Sequence, residues 1–177
     1  MIETARLTLS SWSEAERAPY RAMCADPEVM HDYPAPFSIE VADERFERHL
    51  EAFARDSFGK WALRRKEDGA YLGYCGVNPI WPTLPLAPGL EIGWRMVRSA
   101  WGHGYASEAA RAGLTDIFAR VAAAEVLSYT STTNSRSQAV MRRLGLRRDA
   151  SRDFHYESGE PAVVFVAPRE PWARGGA

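Results

Sequence analysis

The sequence contains little cysteine and no long hydrophobic run. Only two of its 177 residues are cysteines, Cys24 and Cys75, and the interval between them matches no metal-ligand spacing. We therefore expect no disulfide framework and no bound metal, but two reduced thiols in a cytoplasmic protein. No segment approaches the roughly 18 apolar residues that a membrane-spanning helix requires, and residues 1–6 lack the apolar core of a signal peptide. These absences predict a cytoplasmic protein that does not act at a membrane.

The net charge of the chain is also close to zero. Its 22 basic and 23 acidic residues leave a formal net charge of −1. Such a balance offers no electropositive surface to nucleic acid or to anionic lipid, so we expect neither as a partner. A chain of 177 residues can bury a sizeable core in one domain, whereas two domains would be crowded. We predict one domain over residues 1–177, present as a monomer or homodimer.

Hydrophobic periodicity predicts a series of strands and helices. The capping-box pair Ser13 and Glu16 marks one helix start, and Gly145 marks one helix end. Hairpin turns require antiparallel pairing, whereas the strand–helix–strand unit at 90–131 favours a parallel pair. The predicted fold class is α/β (α+β), with a mixed, mostly antiparallel sheet flanked by helices. Strands are predicted at 6–12, 60–65, 70–77, 90–97, 126–131, within 147–157 and at 161–167; helices at 13–25, 40–55, 106–121 and 135–144; and a loose tail at 174–177.

The segment Trp101–Ala106 joins a predicted strand to a predicted helix and contains Gly102 and Gly104. Glycines let the backbone approach a ligand without a side chain in the way. A helix that starts directly after them offers free N–H groups and the positive end of its dipole. These are the properties of a phosphate-binding loop, although a tight turn without a ligand has the same local pattern.

Two other phosphate-binding motifs do not fit this segment. A Walker loop ends in Gly-Lys-Ser/Thr, but Gly104 is followed by Tyr105 and Ala106. A dinucleotide-binding fingerprint needs a third small residue at a fixed position after the two glycines, and the chain meets this condition only loosely. The fingerprint also belongs to a parallel sheet, whereas this sequence predicts antiparallel hairpins. A nucleotide-binding enzyme is therefore disfavoured.

Two further blocks accompany this segment. Glu91–Trp94 precedes it on the predicted strand, and a block that begins at Asn134 and Ser137 and ends in Leu144–Leu146 follows at the next strand–helix junction. With these blocks, the chain resembles the GNAT superfamily of N-acetyltransferases. The predicted order of elements also agrees with a single GNAT-like domain, in which a parallel strand pair splays around the CoA site.

The glycine segment also indicates a branch of the superfamily. Gly104 and Ala106 match the last two fixed positions of the family's motif, Q/R-x-x-G-x-G/A. Trp101 stands where Gln or Arg is usual. This departure resembles the RimJ/RimL-type branch, whose members acetylate ribosomal proteins.

The resemblance implies that an acetyl group passes from acetyl-CoA, without a metal, directly to a primary amine. The acceptor would be a protein N-terminus or a small molecule; the alternative is a non-catalytic CoA-binding sensor or interaction module. Backbone N–H groups would hold the pyrophosphate, and the N–H of Met96 or Val97 would stabilise the oxyanion and contact pantetheine. The implied CoA-binding residues are Met96, Val97, Arg98, Trp101, Gly102, His103, Gly104, Tyr105, Ala106, Ser107, Asn134 and Ser137.

The resemblance implies catalytic roles for Glu91, Ser137, Asn134 and His155. Glu91 would deprotonate the amine; His155 or Glu157 before the last hairpin turn, or an ordered water, are the alternatives. Ser137 would protonate the leaving thiolate or only contact CoA. Asn134 would position the substrates or only cap its helix.

The acceptor site is the least defined part of the sequence. Tyr33, Phe37, Trp81 and Trp94 could line an amine pocket, because aromatic faces attract cations, or could simply pack. Asp32 could pair with a cationic acceptor or lie on the surface. Separately, Glu108 suits the positive end of its helix but would repel a phosphate that it faced, so we expect it to point aside.

Overall fold

The computed structural model describes residues 1–172, apart from the side chain of Pro171, so the predicted tail at 174–177 lies outside the described residues. The strands are β1 Ile2–Glu3, β2 Leu7–Ser10, β3 Lys60–Arg65, β4 Tyr71–Pro79, β5 Leu90–Met96, β6 Glu125–Ser131, β7 Arg147–Arg148, β8 Phe154–His155 and β9 Pro161–Pro168. The principal helices are α1 Arg17–Ala25, α2 Ile39–Asp56, α3 Tyr105–Arg120 and α4 Ser135–Arg143.

The chain forms two compact units. Unit 1 comprises Met1–Gly76 and Trp94–Ala109; unit 2 comprises Val77–Gly93 and the described residues from Ala110 onward. Strands β4 and β5 and helix α3 therefore contribute residues to both units.

Unit 1 is an antiparallel sheet covered by helices. Strands β1 to β4 pair in chain order, and α1 packs on α2. The buried ring of Trp12 meets the edges of Tyr20 and Phe46 at centroid distances of 5.4 Å each. A Cβ on Gly73 would lie 2.1 Å from Arg95 O, so only glycine lets the two backbones come this close. This approach fixes the carboxyl end of β5 within unit 1.

Unit 2 contains the parallel strand pair. Strand β5 pairs with β6 in parallel, with Glu91 opposite Leu127, and β6 pairs antiparallel with β9. The buried Ser128 hydroxyl of β6 donates a hydrogen bond to Ile92 O of β5 at 3.0 Å. A side chain thus adds a hydrogen bond between the two parallel strands. Strands β7 and β8 both pair with β9. The apolar core includes Ile80, Leu127, Phe154, Val164 and Val166.

The predicted fold class is confirmed, with two local differences. Strand β1 was not predicted, because two residues are too short to show a period. The strand predicted within 147–157 is interrupted by a 3-10 turn at Ala150–Arg152. The cause is Asp149, whose carboxylate accepts hydrogen bonds from Ser151 N (3.1 Å) and Oγ (2.6 Å) and so holds the backbone out of the ladder.

Candidate functional site

The carboxyl end of β5 determines which backbone N–H groups face a ligand. Val97 N donates to Leu72 O at 3.0 Å, so this amide is already engaged. Because neighbouring amides along a strand point to opposite edges, the Met96 N–H faces away from Leu72. Of the two predicted oxyanion donors, the Val97 amide is therefore already engaged, whereas the Met96 amide points to the opposite edge of the strand. The indole of Trp101 donates to Met96 O at 3.0 Å, which ties the strand end to the glycine segment.

The glycine segment has the conformation that its sequence requires. Gly102 and Gly104 both have φ of 79°, a region that costs other residues about 1–2 kcal/mol. A Cβ on Gly102 would meet nothing within 4 Å, so the space above that residue is open. Nδ1 of His103 lies 2.7 Å from Trp101 O, and residues 102–104 are all exposed.

Helix α3 begins directly after the loop. Glu108 N donates to Gly104 O at 3.1 Å, so the amides of Tyr105, Ala106 and Ser107 precede the first bond within the helix. Ser107 Oγ is buried and has no hydrogen-bond partner among residues 1–172. A buried unpaired polar atom costs about 1–3 kcal/mol, and an acceptor bound at this helix start would remove that cost. The residues present therefore fit a phosphate-bearing ligand.

Arg98 and Glu108, the two charged residues that the sequence places next to this loop, have partners in unit 1. Arg98 is half exposed and pairs with Glu28 at 3.0 Å. Glu108 turns toward Thr4 and Arg6. The carboxylate thus points aside, as expected from the sequence.

The second predicted block forms the start of α4 in unit 2. Asn134 is the N-cap, and its Oδ1 accepts from Ser137 N at 3.0 Å. The capping role considered for Asn134 is therefore real and uses the carboxamide oxygen, so the amide nitrogen is the atom that a ligand would contact. Ser137 is the third residue of the helix and is partly buried.

The predicted bases lie on different strands of unit 2. Glu91 lies partly buried on β5, opposite Leu127 of β6. His155 is exposed on β8, opposite Pro161, and Glu157 is exposed in the turn that follows. His155 and Glu157 thus have the exposure of ordinary surface residues.

Sequence reasoning missed Glu160 as a candidate. Ser131, which is 4% exposed at the end of β6, donates its hydroxyl to Glu160 Oε1 at 2.5 Å. Thr133 Oγ1 lies 2.8 Å from the same hydroxyl, and Thr133 precedes the acid candidate Ser137 by four residues. No local pattern signals this carboxylate; the register of β6 on β9, with Ser131 opposite Ala162, brings it there.

The groups proposed to bind a cationic acceptor already contact arginines. Asp32 accepts two hydrogen bonds of 2.8 Å from Arg95, whose guanidinium lies 5.0 Å from the Tyr33 ring centre. Arg45 lies 4.5 Å from the ring centre of Phe37. The structure therefore corrects the expectation that Asp32 and these rings bind a cationic acceptor. Arginine side chains of unit 1 already pair with the carboxylate and cover the aromatic faces. The other two aromatics fall in different units, with Trp94 in unit 1 and the exposed Trp81 in unit 2.

Unit 2 also contains a cavity of about 690 Å³ that includes none of the predicted site residues. Apolar side chains and the ion-paired Glu125 and Arg152 form its walls. It is lined by Pro85, Leu86, Pro88, Gly89, Leu90, Ala123, Ala124, Glu125, Leu127, Ser151, Arg152, Asp153 and Phe154. The cavity and the glycine loop are thus separate features.

The predicted residues divide between the two units. Those at 96–107 lie together in unit 1, on one strand end, one loop and one helix start, whereas Glu91, Asn134, Ser137 and His155 belong to unit 2. The described residues contain no group of three or more His, Cys, Asp or Glu side chains arranged to hold a metal. Within residues 1–172, no helix has the length and apolar character needed to cross a bilayer.

Comparison with known proteins agrees with this topology. A sequence model of the acetyltransferase (GNAT) domain matches residues 6–147. The chain belongs to the GNAT acetyltransferase family. It is an N-acetyltransferase, as its named relatives also indicate.

Three known proteins show how far the similarity extends. The FsC-acetyl coenzyme A-N(2)-transacetylase of Aspergillus fumigatus is 29% identical over 189 residues, covering 98% of this chain and 78% of that protein. The crystal structure of an acetyltransferase from Agrobacterium tumefaciens is 28% identical with a TM-score of 0.78, covering 94% and 92%. The ribosomal-protein alpha-N-acetyltransferase RimL, in complex with CoA, is 16% identical with a TM-score of 0.73, covering 93% and 95%. The likeness to RimL is one of fold.

Proposed function

We propose that this GNAT N-acetyltransferase takes its acetyl group from acetyl-CoA and transfers it directly to a primary amine. The observation that carries this proposal is the start of α3. There, two glycines with positive φ precede a helix whose Ser107 hydroxyl is buried without a partner in the described chain. Backbone N–H groups of 102–107 would bind the pyrophosphate, and Ser107 Oγ would donate to the same ligand. RimL, which shares this fold, has been solved in complex with CoA, and this supports CoA as the ligand.

The Met96 amide is the proposed donor to the acetyl carbonyl oxygen, where negative charge develops during transfer. It suits this role because Val97 N donates to Leu72 O, which orients the preceding amide toward the opposite edge of β5. Trp101 would hold this strand end through its bond to Met96 O. In this proposal Trp101, which stands where the family usually has Gln or Arg, stabilises the end of β5.

Proton transfer is assigned to residues of unit 2. The amine must lose a proton before it attacks, and Glu91 is the proposed base, with Glu160 and His155 as the alternatives. Glu91→Gln, Glu160→Gln and His155→Gln separate them: replacement of the true base should lower kcat by about a hundredfold or more, whereas the other two variants should keep a kcat close to that of the wild type. Ser137 is the proposed acid for the departing thiolate, held at the start of α4 by the Asn134 cap.

Two acceptor classes follow from the family, protein N-termini and small amines. The A. fumigatus relative is named for an FsC substrate and RimL for a ribosomal protein. A panel of peptides with free N-termini, the same peptides with blocked N-termini, and small mono- and polyamines distinguishes the classes by the release of free CoA thiol.

Ligand binding and turnover together test the proposal. Acetyl-CoA at a hundredfold excess over its Kd should stabilise the fold by about 2.7 kcal/mol, or roughly 5–10 °C in Tm for a chain of this size. Gly104→Glu should remove that shift, because it places a carboxylate in the phosphate path. No shift with the wild type would refute CoA binding. A shift without thiol release from any amine would instead favour the non-catalytic sensor.

A further inference from the structure

Arg6 and Glu108 are 102 residues apart in sequence and form a close ion pair beside the glycine loop. Arg6 Nε donates to Glu108 Oε2 at 2.7 Å, and Arg6 N donates to Oε1 at 2.9 Å. Thr4 Oγ1 adds a third hydrogen bond to Oε1 at 2.6 Å. The Glu108 side chain is 17% exposed and that of Arg6 is 48% exposed. The carboxylate is therefore held by several donors, while the arginine still reaches the surface.

The Arg6 guanidinium also reaches the glycine loop and the first residue of α3. Nη1 donates to His103 O at 2.9 Å. Nη2 lies 3.6 Å from the position that a Cβ would take on Gly104, and the guanidinium carbon lies 4.6 Å from the Tyr105 ring centre. One side chain thus connects the first turn of α3 to the loop that precedes it.

The bond to His103 O has a consequence for the next amide. In a planar trans peptide, the carbonyl and the following N–H point in opposite directions. When Arg6 draws the His103 carbonyl toward itself, the Gly104 N–H turns away from Arg6. Because Gly102 and Gly104 are glycines with positive φ, the loop has other conformations available when Arg6 does not hold the His103 carbonyl.

Glu108 also places a negative charge close to the glycine loop. Burial alone raises the pKa of this carboxyl, but the hydrogen bonds from Thr4 and Arg6 bring it below its usual value. The group is therefore a carboxylate at neutral pH, one helical turn from the proposed phosphate site. No arginine or lysine lies within 101–107, so Arg6 is the residue that offsets this negative charge.

We propose that Arg6 is a positioning residue for CoA: held by Glu108, it pins the His103 carbonyl so that the Gly104 N–H faces the pyrophosphate. The proposal rests on the acetyl-CoA site described above. It also explains why a glutamate is tolerated in the first turn of a helix that binds phosphate.

The test compares two acetyl donors in Arg6→Ala and the wild type. CoA affinity, measured by calorimetric titration, should fall about tenfold, since a hydrogen bond from a charged group is lost. S-acetylpantetheine lacks the pyrophosphate, so kcat/KM with this donor should stay at the wild-type value. Arg6→Lys should not restore CoA affinity, because an ammonium lacks the fork that reaches Glu108 and His103 together. Glu108→Gln, which retains an acceptor for Thr4, should weaken CoA binding less than Arg6→Ala.

Arg120→Ala is the matched control. Arg120 pairs with Asp116 on the same helix at 2.9 Å, with side-chain exposures of 43% and 18% that closely match the Arg6–Glu108 pair. This variant should bind CoA like the wild type. Thermal unfolding without ligand checks that each variant folds; if Arg6→Ala does not, Glu108→Gln provides the test.

The outcomes separate the two proposals. If wild-type protein binds no CoA, the proposed function fails, and the role of Arg6 fails with it. If the wild type binds CoA and Arg6→Ala binds it equally well, the positioning role is overturned while the function stands. Equal losses with acetyl-CoA and S-acetylpantetheine would also overturn it, since they would reveal a general structural defect.

Discussion

Gly102→Ala tests whether the backbone of the glycine loop binds CoA. Gly102 has φ of 79°, and a Cβ there would meet nothing within 4 Å, so alanine adds backbone strain without a collision. That strain is about 1–2 kcal/mol. Because 1.4 kcal/mol corresponds to a factor of ten, a loop that relaxes to a negative φ when empty should bind CoA about tenfold more weakly. Calorimetric titration with CoA measures this loss directly.

Gly69→Ala separates ligand binding from strain. Gly69 has φ of 71°, also with nothing within 4 Å of its Cβ, but it lies in the turn between β3 and β4. Only Gly102→Ala should lose CoA affinity, and without ligand it should lose less stability in chemical denaturation than Gly69→Ala, because its empty loop relaxes and its strain appears on CoA binding. Wild-type affinity in Gly102→Ala, with a stability loss like that of Gly69→Ala, would refute the assignment of the pyrophosphate to this loop.

Three further predictions concern catalysis and stability. Ser137→Ala should lower kcat by about a hundredfold, as expected for loss of a general acid, with little change in CoA affinity; equal losses would make Ser137 a binding residue. Burial, with Lys60 and Arg45 nearby, lowers the pKa of His49 from 6.5 to about 3, so the unfolded chain binds one more proton between these values. The free energy of unfolding should therefore fall below pH 6.5, by about 2 kcal/mol at pH 5, and denaturation of His49→Gln should lack this component. Gly73→Ala, whose Cβ would lie 2.1 Å from Arg95 O, should cost about 2 kcal/mol or more, and a stability equal to that of Gly69→Ala would contradict the close packing of β4 on β5.

Local sequence signals predicted the elements well where a side chain acts within a few residues. Ser13 and Glu16 form the predicted capping box, and Asn134 caps α4. Gly145 has φ of 76°, as a glycine that ends a helix should. Hydrophobic periodicity adds the strands, since Lys60–Arg65 is β3 with the predicted bounds. These features depend on neighbours in the chain, which a single sequence reveals.

Partners distant in the chain could not be predicted. The pairing of Glu108 with Arg6, of Asp32 with Arg95 and of Ser131 with Glu160 depends on strand register and loop placement, which no local pattern encodes. The same holds for the Val97 amide, whose bond to Leu72 O follows from the contact of β5 with β4. The sequence thus predicted which residue types form the candidate site, but not which of their polar atoms are already engaged.

Hydrogen–deuterium exchange with and without saturating CoA tests the central claim most directly, because it reports on the amides themselves. The start of α3 supplies N–H groups that precede the first bond of the helix, at Glu108 N to Gly104 O. If these amides bind the pyrophosphate, exchange at 102–107 should slow on addition of CoA, while exchange in the turn at Gly69 stays unchanged. Unchanged exchange at 102–107 in CoA-saturated protein would contradict the account.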